Sequence, residues 1–257
     1  MSDMLHDAFC PSHDVGRVSY DVVIPCFNRA QTVEDAVASV LAQVPAPERV
    51  ILVDDGSSDG TPAVLLALQK AHAVVQAVLL PDNVGASAAR NAGLALAREE
   101  WVAFLDSDDT WLPGAAKALL SAANGADVVV GQFRRVWPSG TTDAPECGWD
   151  GSDILSALSR TGAIGPSWSI VRRSAAVGVD GFDVTFHNCN DWDFHVRLLA
   201  AGARFRRIDE VVAFYRIAQA NRLSNDSEAG LVNAQRVQSH AIFAQLLPVD
   251  AEPLMAT

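Results

Sequence analysis

Cysteine is scarce in this chain: Cys10, Cys26, Cys147 and Cys189 are its four, widely separated and without a CxxC pair. That spacing gives no disulfide framework, and reduced thiols in a cytoplasmic setting are the expectation. Basic residues are outnumbered, 19 Lys and Arg against 31 Asp and Glu, which leaves a formal net charge of -12. Such a field opposes a polyanion-binding surface, so no nucleic-acid partner is expected. A small anionic ligand is still allowed, because local arginines or a metal overrule the global field. No run approaches the roughly 18 apolar residues of a membrane span, so any work on membrane-linked material is peripheral. A basic segment followed by an apolar run is absent from the amino terminus, and no signal peptide is visible. There is no HxH or HExxH, and zinc fits poorly. No GxGxxG follows the first apolar strand; PCFNR stands there instead, which disfavours a dinucleotide-dependent dehydrogenase.

What is present is a core. Hydrophobic residues make up 49% of 257, enough for one large domain or a domain with an elaborated half. Strands are predicted at residues 20–25, 49–53, 74–80, 101–105 and from 127 toward 137. Helices are predicted over 32–43, from Pro62, over 86–98 and over 113–123. Thr32 and Asp35 have capping-box spacing. This alternation with short connections implies an α/β fold: a mainly parallel, Rossmann-like central sheet with helices on both faces. Residues 138–149 turn to Pro, Gly, Thr and Asp and read as a long loop. A helix over 150–160, a strand over 167–171, a helix over 191–201 and strands at 205–208 and 211–216 follow. A closing helix over 228–247 carries a stripe of Leu231, Ala234, Val237, Ala241 and Leu246. The expected division is a flexible leader (1–19), one domain (20–219, with halves 20–110 and 111–219) and a terminal loop, helix and tail (220–257).

Three carboxylate groups stand out. Asp54 and Asp55 end the second strand, Asp106, Ser107, Asp108 and Asp109 end the fourth, and Asp191 and Asp193 open a helix. Clustered carboxylates repel unless a positive group sits among them. Two such groups at the carboxyl ends of parallel strands face one crevice, where open α/β sheets hold ligands. Asp106 and Asp108 are two apart, so an extended backbone points both the same way. That suits one hard cation, Mg²⁺ or Mn²⁺. Read alone, the stretch is equally an acidic loop with Asp109 or Thr110 capping a helix.

Five segments in order carry a resemblance: VVIPCFNRAQTVEDAVASVLAQ (Val22–Gln43), ILVDDGSSDGT (Ile51–Thr61), NVGASAARNAGLALA (Asn83–Ala97), FLDSDD (Phe104–Asp109) and NDWDFHVRLLAAGARF (Asn190–Phe205). Together they resemble the inverting family 2 glycosyltransferases of GT-A fold, with FLDSDD similar to that family's DxD motif. The resemblance implies a nucleotide-sugar donor, a UDP-sugar above all, and transfer of a hexosyl or N-acetylhexosaminyl group. It implies that Asp55 binds the pyrimidine base, that Pro25 and Phe27 line the base pocket with Asn28 nearby, and that Arg90 lies near the nucleotide or its phosphates. Asp106 would approach the ribose and donor sugar, Asp108 would ligate Mn²⁺ or Mg²⁺ directly, and Asp191 would be the general base. Asn190, Trp192, His187 and Trp168 are acceptor-side candidates, the acceptor being a saccharide or glycolipid. Polysaccharide or glycolipid assembly at the cytoplasmic face of a membrane is the implied setting, with monomer or homodimer undecided.

Other readings stand beside these. Asp55 also reads as a turn residue, Arg90 as a helix arginine pairing with Glu34 or Asp82, and Asp191 as a helix N-cap. The histidines read as pocket-wall or core-edge residues and the tryptophans as packing. Two departures bear on function. Asn190 replaces the Glu that usually precedes the family's catalytic Asp, which removes a charge and should leave the Asp191 pKa less raised. No His follows Tyr215 and Arg216, so Arg216 or Arg222 would neutralise phosphate instead, or water would complete the metal shell. The departures keep open a catalytically weak or inactive nucleotide-sugar-binding module. A sugar nucleotidyltransferase is a lesser alternative, lacking its Gly-rich basic loop.

Overall fold

Val22, Val23 and Ile24 lie at the centre of strand β1 (Tyr20–Cys26), and all are fully buried. A continuous apolar run is what a strand covered on both faces requires. The computed structural model describes residues 18–217 and 227–246; the expected leader to residue 17, Arg222 and the tail lie outside them. Strands β2 (Arg49–Asp55), β3 (Val75–Leu80) and β4 (Trp101–Phe104) join β1 in parallel, in the order β3-β2-β1-β4. Their crossovers are helices α1 (Val33–Leu41), α2 (Thr61–Ala71) and α3 (Ala86–Leu96). Helix α3 lies close on β1: a Cβ on Gly93 would sit 2.2 Å from Val23 Cγ1.

The second half extends the same sheet but mixes directions. Strand β5 is Thr110–Trp111, α4 is Ala115–Ser121, β6 is Val128–Val136 and α5 is Ile154–Arg160. A 3-10 turn at Pro166–Trp168 then leads into β7 (Ser169–Arg172), α6 (Arg173–Gly178), α7 (Asn190–Ala200) and β8 (Phe205–Arg216). The full order is β3-β2-β1-β4-β7-β6-β8-β5. β7 runs antiparallel to β4 and β6, β6 pairs parallel with β8, and β5 is antiparallel to β8. The mainly parallel expectation therefore holds for the first four strands and is replaced by a mixed sheet beyond them.

Other expectations need correction. The capping box at α1 does not form: Thr32 makes no side-chain cap bond and its Oγ1 is buried without a partner. Asp35 instead accepts from Arg216 Nη2 at 2.9 Å, a long-range ion pair outcompeting a local cap. The two late strands are one, β8, whose register shifts against β6 absorb an interruption. The closing helix ends early, as α8 (Ser227–Gln238) followed by a 3-10 turn at Ala241–Leu246. Its inner face holds Asn233, Val237 and Phe243, whereas Leu231, Ala241 and Leu246 are exposed. Among the described residues no helix is long and apolar enough to cross a membrane.

Candidate active site

The carboxyl ends of β1, β2 and β4 open into a cleft of about 710 Å³. Pro25, Phe27, Asn28, Asp55, Arg90, Asp106 and Asp108 line it from the first half. Trp168, Asn190, Asp191 and Trp192 line it from the second. His187 is exposed and does not line it.

On the β1 side the backbone turns sharply after Phe27. Asn28 adopts φ 54°, a left-handed conformation that Asn tolerates better than most residues. It is pinned there, its N–H donating to Ser57 Oγ at 2.8 Å and its Oδ1 accepting from Ser58 N at 2.9 Å. Phe27 stays 42% exposed at the cleft wall, an apolar face without a protein cover. Asp55 is buried, and its carboxylate accepts from the backbone N–H of Val84 at 2.8 Å and of Gly85 at 2.9 Å. Gly56 allows this approach: at φ 68° a Cβ there would lie 2.5 Å from Asn83 N. Asp55 thus anchors the start of α3, and its oxygens keep lone pairs for a ligand.

The acidic loop is a turn rather than an extended segment, with Asp109 N donating to Asp106 O at 3.0 Å. This corrects the expectation that backbone alternation alone aligns Asp106 and Asp108. Asp109 is no helix cap. It is fully buried and accepts from Ser167 Oγ at 2.6 Å and from Arg216 N at 3.1 Å. Ser167 Oγ in turn accepts from Asp106 N at 3.2 Å. Asp109 therefore ties the loop to β8 and to the 3-10 turn. Arg216 is held by Asp35 and Asp109, and its guanidinium is not a lining group of the cleft.

Each of the acidic loop's two cleft-facing carboxylates, Asp106 and Asp108, meets an arginine. Arg90 is buried and donates from Nη2 to Asp106 Oδ1 at 2.6 Å and from Nη1 to Asn190 Oδ1 at 3.1 Å. It bridges the acidic loop to the first residue of α7, so the pairings with Glu34 or Asp82 do not occur. Asn190 serves as a neutral acceptor, so the ion pair of Arg90 is made with Asp106. Arg29, which the sequence reading passed over, lines the cleft with Nη2 3.9 Å from Asp108 Oδ2. Its Nη1 donates to the carbonyls of Phe27 at 3.2 Å and Asn28 at 3.1 Å. The signal for it was its place in PCFNR, beside residues already singled out.

Asp191 stands in the first turn of α7, half-buried. Burial pushes its carboxyl above the usual range; the Arg90 guanidinium and the Trp192 N–H pull it down, and Asp106 pushes it up again. So the pKa is raised even with Asn190 as neighbour. Trp192 packs its indole with Nε1 donating to Leu158 O at 2.6 Å. Trp168 stacks on Phe133 with centroids 4.1 Å apart. Both are packing residues that also present an edge to the cleft. His195, one turn further along α7, is buried, with Nδ1 2.7 Å from Asp191 O. Burial lowers its pKa to about 4, so it is neutral at pH 7 and its Nδ1–H donates to that carbonyl.

The family model "Glycosyl transferase family 2" matches residues 21–163, more than half of the chain. The chain belongs to glycosyl transferase family 2. Among curated proteins of similar sequence, the succinoglycan biosynthesis protein ExoO of Rhizobium meliloti (strain 1021) is 39% identical over 104 residues, 40% of this chain and 29% of that protein. The teichuronic acid biosynthesis glycosyltransferase TuaG of Bacillus subtilis (strain 168), itself designated as such only provisionally, is 43% identical over 90 residues, 35% of this chain and 36% of that protein. The matched stretches thus span about a third of those two relatives. In fold, the chain is similar to S. aureus TarS in complex with UDP-GlcNAc, at TM-score 0.72 and 20% identity over 91% of this chain and 68% of that one. The mannosyltransferase PcManGT of Pyrobaculum calidifontis, in complex with GDP-Man and Mn²⁺, gives 0.65 at 20% identity over 80% and 59%. The fold of this family 2 chain is therefore that of GT-A glycosyltransferases.

Metal chemistry can be tested on the donor set. Among the described residues, no three or more His, Cys, Asp and Glu side chains gather as a ready cage. Asp106 and Asp108 offer hard carboxylate oxygens in the cleft. Mg²⁺ and Mn²⁺ sites of the phosphate-handling kind use one or two carboxylates and take their other ligands from phosphate and water. The residues fit a cation that arrives with a diphosphate.

Proposed function

We propose that the chain is an inverting glycosyltransferase that moves a sugar from a nucleoside-diphosphate sugar, UDP-linked by preference, to an acceptor hydroxyl. The observation that carries this reading is that Asp55, Asp108 and Asp191, far apart in sequence, line one cleft. Its shape suits the parts of the donor: exposed Phe27 for a base, Asp55 for a base N–H, Arg29 and Arg90 for phosphate oxygens. The donors named with TarS and PcManGT are nucleoside-diphosphate sugars, which supports the class.

Chemically, the acceptor oxygen forms a bond to the anomeric carbon while the bond from that carbon to the diphosphate oxygen breaks. The electron pair leaves with the diphosphate, and the acceptor proton passes to the Asp191 carboxylate. A raised pKa makes Asp191 a stronger base and brings it nearer to its working pH. Asp108, with Asp106 alongside, would hold a divalent cation, which would supply positive charge where the leaving diphosphate becomes more negative. Attack from the Asp191 side with departure on the acidic-loop side inverts the anomeric configuration. Hexosyl or N-acetylhexosaminyl transfer to a saccharide or glycolipid, at the cytoplasmic face of a membrane, is the setting this reading adopts.

The test is a screen of nucleotide sugars with Mn²⁺ or Mg²⁺, following release of nucleoside diphosphate with and without saccharide acceptors. Release that depends on Asp191 supports the reading. Donor binding with no turnover in the wild-type chain would leave only the nucleotide-sugar-binding module, and absence of donor binding would remove both.

A further inference from the structure

Behind Trp168 the cleft meets a second cavity, of about 650 Å³. The two share Thr161, Gly162, Trp168 and Tyr215 as lining. Its floor is an aromatic cluster: Phe133 stacks on Trp168 at 4.1 Å, and Tyr215 meets both edge-on at 5.8 Å. The indole is fixed in place, because a Cβ on Gly165 would fall 2.2 Å from its Cη2. The outer wall is formed where the excursion after β6 folds back, with Phe133 and Glu146 exchanging backbone hydrogen bonds at 2.9 and 2.8 Å. Nothing in the chemistry at Asp191 uses this space.

Its polar groups are of both kinds and balance in charge. Arg135 pairs with Glu146 at 2.9 Å, Arg207 carries a buried Nε without a partner, and Asp150 and Gln132 complete the rim. Equal numbers of guanidinium and carboxylate groups give an anion no net attraction. Paired donors and acceptors above aromatic faces match sugar hydroxyls, which both donate and accept, and the apolar faces of pyranose rings. We propose that this cavity is an acceptor subsite for an uncharged oligosaccharide. The reacting unit lies beside Asp191, and the units next to it pass Trp168 and Tyr215 into the cavity. This rests on the glycosyltransferase reading and names its acceptor class.

The probe is a glycan array of neutral and acidic mono- to tetrasaccharides, applied to the full chain with UDP and Mn²⁺. The same array is applied to the Arg135→Ala/Glu146→Ala double variant, which removes both partners of a half-exposed pair and strands no charge. The expected result is binding confined to neutral glycans of two or more units, weakened at least tenfold in the double variant, while UDP affinity measured by calorimetry is unchanged. Binding of no glycan, equal binding of monosaccharides, preference for acidic glycans or indifference to the double variant would each overturn the subsite. Failure of UDP, GDP and dTDP to bind at all sinks the glycosyltransferase reading instead, and the calorimetry separates the two cases.

Discussion

Asp191 is where function and stability pull apart. Its carboxyl is raised by burial, so the ionised form needed to take a proton is the form the fold disfavours. The folded chain holds that proton more tightly than the unfolded one, so stability is lost as pH rises through the folded pKa. Asp191→Asn is therefore expected to cut transfer by about 10²-fold or more while raising the melting temperature at pH 7. The stability gain should vanish at pH values below the unfolded carboxylate range, which thermal melts across pH will read. At Arg29 the expectation is a trade. Removing a guanidinium 3.9 Å from Asp108 takes away a competitor for the cation and a partner for phosphate. Arg29→Gln should bind Mn²⁺ more tightly without nucleotide and bind UDP about tenfold more weakly, a loss of one charge-assisted hydrogen bond. Calorimetry of each ligand alone distinguishes this from a general loss of structure, which would weaken both.

Helices α3 and α7 carry the site between them, and the bridge is Arg90, from Asp106 to Asn190. The position of Arg90 depends on how closely α3 lies on β1. Gly93→Ala places a methyl 2.2 Å from Val23 Cγ1, and the overpacking should destabilise by about 1–3 kcal/mol. Urea unfolding measures it. On α7, His195 is neutral and buried, with its pKa lowered to about 4 from 6.5. The unfolded chain binds a proton that the folded chain refuses, so stability falls as pH drops from 6.5 toward 4. The cost reaches about 3 kcal/mol at full effect. His195→Phe should flatten that part of the pH–stability profile. α7 was readable in advance because Phe194 and Leu198, both buried, recur at helical spacing; Ala201, expected on the same face, caps the helix and is exposed. α6 and the two-residue β5 were not, since elements so short carry no periodicity and exist only through their sheet and helix neighbours. The closing stripe held at Ala234 and Val237 but not at Leu231, Ala241 and Leu246, for a related reason: periodic apolar residues mark a face, but only packing says how far that face is covered.

Across the whole molecule, a cation site built from two carboxylates and completed by phosphate couples two ligands. Mn²⁺ alone should shift the melting temperature little, UDP alone modestly, and both together by more than the sum, because each raises the affinity for the other. Additive shifts would count against a shared site.

The amino-acid sequence alone determined the β-α alternation of the first half, the carboxylates at strand ends and the order of the five motif segments. Strand and helix periods, turn residues and abrupt apolar-to-acidic boundaries are local features, and they are written in consecutive residues. Only the tertiary structure decided which arginine neutralises which carboxylate, that Asp109 is a tie rather than a cap, and that Asp35 serves Arg216 instead of Thr32. It also decided that β7 runs antiparallel and that a second cavity opens behind Trp168. Those outcomes depend on groups 16 to 181 residues apart competing for the same partners, and that competition is settled by distance in space, which no local pattern encodes.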